Sequence, residues 1–494
     1  MLNSEIRHAQ AANRRASWPV AVDVDPGESS KAAWLALTTL ATALAVPSAA
    51  AWSQDHSPGM IALASFIPHI ALSAAFVWNE CKRRAMSLHL MHALFAFLFF
   101  GVAALAQFLH RKFPLSDYYP MALADDEVIW ANIVVTVWLL SYYVGHRVTI
   151  FGRWSPVARP AVITRLGLLV ATICSVVCLG ALALRGSFGV LTRAGFDTVV
   201  GVGSGTEALV IGVFVRGVPI VTTLAFTAAA VQSRRRRLPN AIAAVVLGIG
   251  CILLDNPIAA ARYWTAMVVI AFATVLLFRR PSWRWALVPA VVLGVVFAMP
   301  VLDRGRYSPA PDFFGTPDEM FGRSLSEDGN YDAFGNVALT ARYVNDVGST
   351  WGRQFLGTVT FFIPRSAWPD KPVGSGSLVA NRYGLPNTNI SSPLPAEGLI
   401  NFGLLGVVLF GVACGALVRR LDHVSSQTGC SFTWRSVVYP CWLGLFFFIC
   451  RGDLLSSVAY TIGTTCAALP LCIRSGKKKR FGWTVGRFAC SRAS

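Results

Sequence analysis

Hydrophobic side chains make up 54% of the 494 residues and charged ones only 14%, more apolar surface than an aqueous core can bury, and the mean hydropathy of +0.54 agrees. A soluble globular domain is excluded. The formal charge of +18 suits either nucleic acid or an anionic membrane face, and the placement of the basic residues decides between them.

A polar tail over 1–31 comes first. Apolar runs long enough to cross about 30 Å of hydrocarbon then recur at 33–51, 61–78, 88–109, 128–145, 166–184, 208–231, 241–254, 263–278, 285–301, 399–418, 439–450 and 458–473. They predict an all-α polytopic bundle of about twelve transmembrane helices. Short loops on one side read "CKRR", "SRRRR", "RRPSWR" and "VRR", and the tail over 474–494 contains "KKKR"; that side holds roughly two-thirds of the 43 Lys and Arg. The asymmetry places both termini in the cytoplasm and removes nucleic acid as a partner. Arg216 falls within a span.

"AVPSAAAW" resembles a signal-peptidase site, but the polar region before it is too long and cleavage would break the charge parity, so the first helix is kept. The 11 cysteines fall in predicted helices or on the basic side, with no disulfide framework and no CxxC pair. Cys174 and Cys178, one turn apart, read as helix packing.

The segment over 302–398 is expected to stay outside as one large loop, and a loop of that length is usually functional. Within it "NYDAFGNVALTARYV" and "WGRQFLGTVTFFI" have helical spacing, the second placing Phe355, Leu356, Val359 and Phe362 together before Pro364 ends it. Both are expected to lie as amphipathic helices on the outer membrane surface. The irregular stretch "FFIPRSAWPDKPVGSG" follows.

Charge at a membrane edge is costly and commonly lines a substrate path. Arg262, Arg365, Lys371 and Arg451 are expected to face one outward vestibule, where arginine forks suit a phosphate dianion. The competing reading is snorkelling to lipid headgroups. Glu397 in "SPLPAEGLINFG" stands in the first turn of a helix begun by Pro395, placed either to complement the dipole or to act as a general base. Asp332 is the other candidate acid. Asp125, Asp126 and Glu127 could ligate a metal, but an exposed charge run is preferred, so no metal site is assigned. There is no Walker loop, and none of the eight histidines lies within 302–398. Trp351, Trp368 and Tyr383 could stack on sugar rings or anchor at the interface.

In order along the chain, "NPIAAARYW", "YDAFGN", "FFIPRSAWPDKPVGSG", "NISSPLPAEGLINFGLLGVVLF" and "RGDLLSS" resemble motifs of the bacterial O-antigen polymerases, the Wzy-type oligosaccharide repeat unit polymerases. The resemblance covers mainly 255–457; before that only the helices match. It implies a GT-C-like membrane glycosyltransferase at the outer face of the bacterial plasma membrane, joining undecaprenyl-pyrophosphate-linked repeat units into O-antigen or a related surface polysaccharide. No cofactor or nucleotide sugar is implied. The implied partners are the lipid-linked glycan donor and acceptor, membrane lipids, a chain-length regulator and a lipid-linked oligosaccharide flippase. Carried over to these positions, the basic residues Arg262, Arg365, Lys371 and Arg451 bind the donor pyrophosphate and Glu397 helps deprotonate the acceptor hydroxyl; with the residues read earlier, the catalytic candidates are Glu397, Arg365 and Asp332, and the substrate-binding ones Arg262, Lys371, Arg451 and Trp368. The alternatives are the O-antigen ligase, which is expected to need a histidine in this loop, and a polysaccharide or lipid-linked oligosaccharide transporter.

Overall fold

A computed structural model describes residues 26–52, 59–83, 86–116, 119–148, 162–186, 206–233, 236–255, 261–277, 283, 286–298, 325, 329–426 and 432–473. The expectations for the tails over 1–25 and 474–494 and for 299–324 lie outside them. The described helices are α1 (Pro26–Trp52), α2 (Met60–Arg83), α3 (Leu88–His110), α4 (Asp125–Arg147), α5 (Arg165–Leu184), α6 (Thr206–Gln232), α7 (Arg237–Leu254), α8 (Arg262–Leu276), α9 (Leu287–Val296), α10 (Ala333–Val347), α11 (Arg353–Val359), α12 (Ser375–Arg382), α13 (Leu394–Ser426), α14 (Arg435–Arg451) and α15 (Leu454–Cys466). Among the described residues one antiparallel ribbon, β1 (Phe113–Ser116) with β2 (Tyr119–Met121), lies between α3 and α4.

Nine helices among the described residues are long and apolar enough to cross a membrane, which makes the chain a multi-pass helical membrane protein. The spans expected at 263–278, 285–301 and 439–450 fall on the shorter helices α8, α9 and α14. The bundle's outer surface is apolar: Leu169, Ile173 and Val177 of α5 and Ile242, Val246 and Ile249 of α7 are exposed, as hydrocarbon requires. At its centre α3 is almost wholly buried. A π-helical stretch, Ala96–Ala103, interrupts it, and His69 Nε2 meets Phe100 O there at 2.9 Å.

Helices α4 and α13 run parallel, because Gly411 approaches Trp138 and Tyr142 while Gly415 approaches Tyr142 and His146. A Cβ on Gly415 would fall 2.0 Å from Tyr142 O, so glycine sets this close contact. The bundle therefore has two distinct ends. At one, Arg419 donates to the carbonyls of His146 and Arg147, and Asp422 accepts from Leu88 N, His89 N and Tyr439 Oη. His89 stacks on His146 there, and His92 on Tyr142. At the other end lie the first turns of α4, α8, α10 and α15.

The 30-residue candidate span within α13 is not one straight rod. Non-helical angles at Phe402 and Gly403, the latter with φ 61°, turn the chain back on itself. Gly398 consequently comes to lie against Gly406 and Val407. Residues 394–401 form a buried helix folded against 404–426, which supplies the full-length span. Thr350 N and Gly352 N donate to Ile400 O and Asn401 O at 2.8 and 3.1 Å, satisfying the last carbonyls of the folded-back helix.

The expectation that both 302–398 helices lie on the membrane surface needs correction for α10. From Ala333 to Ala341 every residue of it is buried, because Asn336 and Thr340 on its polar side find partners inside: Asn336 Nδ2 donates to Ser391 Oγ at 3.0 Å and Thr340 Oγ1 to Asn336 O at 2.7 Å. The segment after it does expose an apolar face, formed by Phe355, Leu356, Val359 and Phe362, as expected of an interfacial element.

Arg216 sits close to the second end and not at mid-bundle: its Nε donates to Asp255 Oδ1, at the end of α7, at 2.5 Å, and its guanidinium lies 4.7 Å from the Trp264 ring in the first turn of α8. Burial pushes the Asp255 carboxyl up to about 6 against the pull of Arg216. The folded state then binds this proton more tightly than the unfolded chain, so Asp255's contribution to stability declines as pH rises from about 4 to about 6. Asp255→Ala removes the carboxylate opposite a buried guanidinium and should cost about 3–5 kcal/mol. A thermal unfolding midpoint in detergent unchanged from the parent would refute the pair's importance.

Candidate functional site

At the second end, helix starts from distant parts of the chain bring three buried acids together. Asp332 precedes α10. Its Oδ1 accepts from Ser391 Oγ at 2.8 Å and lies 3.0 Å from Arg451 Nη2, while its Oδ2 accepts from Ser391 N at 3.2 Å. Arg451 also donates from Nη2 to Gly329 O at 2.7 Å, and its buried Nε has no hydrogen-bond partner among the described residues. Burial raises the Asp332 carboxyl above its ordinary range, opposed by Arg451 and Ser391.

Glu397 stands on the folded-back helix and is 1% exposed. One carboxylate oxygen, Oε2, accepts from Ser375 Oγ at 2.7 Å. The other, Oε1, accepts from Leu454 N at 3.1 Å, one of the amides left open at the start of α15. Asp453 sits beside it and adds its own charge to the environment of Glu397. It caps α15 by accepting from Leu455 N at 2.8 Å and Ser456 N at 3.3 Å. Burial raises its carboxyl, opposed by the amides of α15 and by those of Ser375 and Gly376. A Cβ on Gly374 would fall 1.8 Å from Asp453 Oδ2, so glycine lets the loop entering α12 close on this carboxylate without displacing it.

Glu397, Asp332 and Arg451 are thus gathered into one cluster with Ser375, Ser391 and Asp453. Sequence reasoning missed these last three. Asp453 lies in the quoted "RGDLLSS", and its position just ahead of an apolar run was the available signal.

The other candidates are placed around the cluster. Arg262 is half-buried at the start of α8. Its neighbour Tyr263 stacks on Phe448 at 3.9 Å, which brings it to the same end as Arg451. Lys371 is 3% exposed, and its Nζ donates to Phe361 O and Ile363 O at 2.6 and 2.9 Å. Arg365 donates to Lys371 O at 2.9 Å and Pro372 O at 3.5 Å. Both therefore brace the loop that delivers Gly374 and Ser375, in place of facing one vestibule with Arg451. Trp368 is half-buried in the same loop. Tyr383 donates its hydroxyl to Asp346 at 2.9 Å.

Asp125 pairs with Arg111, and Glu127 with Arg342 at 2.6 Å. No group of three or more His, Cys, Asp or Glu among the described residues is placed to hold a metal ion.

Chemically, the cluster offers a buried carboxyl group with one hydroxyl and one amide donor, a second carboxyl beside it, and a guanidinium with an unused N–H. Such a set can take a proton and receive developing negative charge. Comparison of the chain with protein-family models, with curated proteins and with solved structures found no match.

Proposed function

We propose that the protein polymerises polyprenyl-pyrophosphate-linked oligosaccharide repeat units into a surface polysaccharide, at the outer face of a bacterial plasma membrane that it crosses about twelve times in a GT-C-like arrangement, with both termini cytoplasmic. The observation that carries the reading is the burial of Glu397 on a folded-back helix, beside the Asp332–Arg451 pair, at the end of the bundle away from Arg147 and Arg419. The ordered motifs from Asp255 to Ser457 support it independently.

In the reaction, a hydroxyl of the acceptor glycan attacks the anomeric carbon of the donor. The new glycosidic C–O bond forms as the bond to pyrophosphate breaks, and the hydroxyl proton passes to Glu397. Polyprenyl pyrophosphate leaves with the electron pair, and Arg451, with Arg262 at the same end, offsets its charge. Arg365 and Lys371 hold the loop carrying Ser375 to Glu397, and Trp368 belongs to that loop.

Surface polysaccharide from a deletion strain tests the reading. Single capped repeat units are the expected result. Undecorated core with lipid-linked polymer would instead indicate ligase activity, and the absence of any exported repeat would indicate transport.

A further inference from the structure

Between the end of α10 and the loop over 370–373 lies a cleft of about 480 Å³, lined by residues that include Tyr343, Ser349, Trp351, Gln354, Asp370 and Val373. The glycosyl transfer derived above makes no use of it.

One wall is the turn over 348–352, where three residues have left-handed backbone: Gly348 at φ 93°, Trp351 at 52° and Gly352 at 82°. Glycine adopts this region without steric penalty, but a bulky residue is an outlier there. The turn persists because its amides are bonded to the end of the folded-back helix, and the effect is to hold an indole 82% exposed at the rim. Strain kept at an exposed aromatic is a reason to look for a ligand.

The second feature is Gln354, 6% exposed, whose Oε1 is buried without a hydrogen-bond partner. A leucine there would avoid the cost of an unsatisfied acceptor. What Oε1 lacks is a donor, which a hydroxyl supplies and a phosphate oxygen does not. Asp370 lines the cleft together with Arg353 and Lys371, so charge alone does not choose the ligand and the unmet acceptor does. Next to the cleft, Phe355, Leu356, Val359 and Phe362 form the exposed apolar face of α11 and the residues after it, and the exposed Trp351 stands in the turn that leads into α11.

We propose that this cleft binds the sugar end of an amphiphile whose hydrocarbon runs along that apolar face, with a pyranose ring stacked on Trp351 and one of its hydroxyls donating to Gln354 Oε1. A sugar ring matches the cleft because it joins an apolar C–H face to hydroxyl donors. The far wall leads from Val373 through Gly374 to Ser375, which is bonded to Glu397, so a glycan held in the cleft continues toward the acidic cluster. Naming the amphiphile as a lipid-linked glycan rests on the polymerase reading; recognition of a sugar here does not.

The test uses the full chain in lipid nanodiscs with a photoreactive benzoylphenylalanine replacing Val373. The probe is the lipid-linked oligosaccharide extract of cells from which the gene has been deleted. The same extract after mild acid supplies free oligosaccharide and lipid as separate fractions. The intact extract should give a sugar-bearing adduct, reduced about tenfold or more by Trp351→Gly or by Gln354→Leu. Neither variant should lower the thermal midpoint, because the first relieves a left-handed tryptophan and the second removes an unsatisfied acceptor. Equal capture of free oligosaccharide would overturn the amphiphile. An adduct with lipid alone, no adduct, or an undiminished adduct in the variants would overturn the cleft. If sugar-bearing adducts form as expected while the deletion strain still makes full-length polymer, the cleft stands and the polymerase reading falls.

Discussion

If the proposed polymerase reading holds, polymer synthesis should fall about a hundredfold or more in Glu397→Gln, assayed with lipid-linked repeat units and reconstituted protein, while the variant inserts and stays folded. The substitution keeps shape and hydrogen bonding: an amide oxygen still accepts from Leu454 N, and its NH₂ can donate to Ser375 Oγ, reversing the present bond. It removes one of two neighbouring buried carboxyl groups, Glu397 and Asp453, so no uncompensated charge is created. What it loses is the ability to take a proton from the attacking hydroxyl, a role worth roughly 10²–10⁴ in rate. A Gln variant that polymerises at the parental rate would show that the carboxylate is not the base and serves the fold alone.

Gly406→Val is expected to have the largest effect on the fold. A Cβ at Gly406 would lie 2.0 Å from Gly398 O, and one at Gly398 would lie 2.8 Å from Val407 Cα. The folded-back helix cannot yield locally, because its far end is tied to Thr350 and Gly352 and its middle to Ser375 and Leu454. Overpacking costs roughly 1–3 kcal/mol in ordinary cores, and here the released helix would also leave buried carbonyls unpaired. The folded species should disappear from size-exclusion profiles in detergent, and polymer with it. Gly403→Ala provides the contrast. No neighbouring atom lies within 4 Å of the added Cβ, and the penalty is the backbone at φ 61°, ψ −152°, a region essentially reserved for glycine, about 1–3 kcal/mol, so that variant should fold with a lower thermal midpoint. Equal behaviour of the two variants would argue against the hairpin.

The helices were legible in the sequence because lipid demands long apolar runs, and the runs at 88–109 and 128–145 fall almost on α3 and α4. The reversal in α13 was not, since "LPAEGLINFGLLGVVLF" reads as one continuous run and hydropathy carries no direction; the glycines at 398, 403 and 406 were its only local trace. Glu397 was found from its place in a first turn. Its neighbours came from elsewhere in the chain, and Asp332 meets Arg451 across more than a hundred residues, a separation that no short motif records. Arg365 and Lys371 were read by charge, and charge does not say whether a cation faces a substrate or a row of carbonyls. The same limit applies to α10, where apolar spacing fixed the helix but the partners of Asn336 and Thr340 decided its burial.

The parallel pairing of α4 with α13 has a consequence for biogenesis. His146 and Arg419, in contact at the basic end, are 273 residues apart. At a synthesis rate of about 5–20 residues per second, α4 is complete roughly 14–55 s before the segment that closes on it emerges from the ribosome. Throughout that interval the face bearing Gly145, shaped for a backbone contact with Val412, is in the bilayer without its partner. Lipid or an insertion chaperone must cover it and be displaced later, so the end carrying Glu397 is completed only after the last third of the chain has been threaded back to the first.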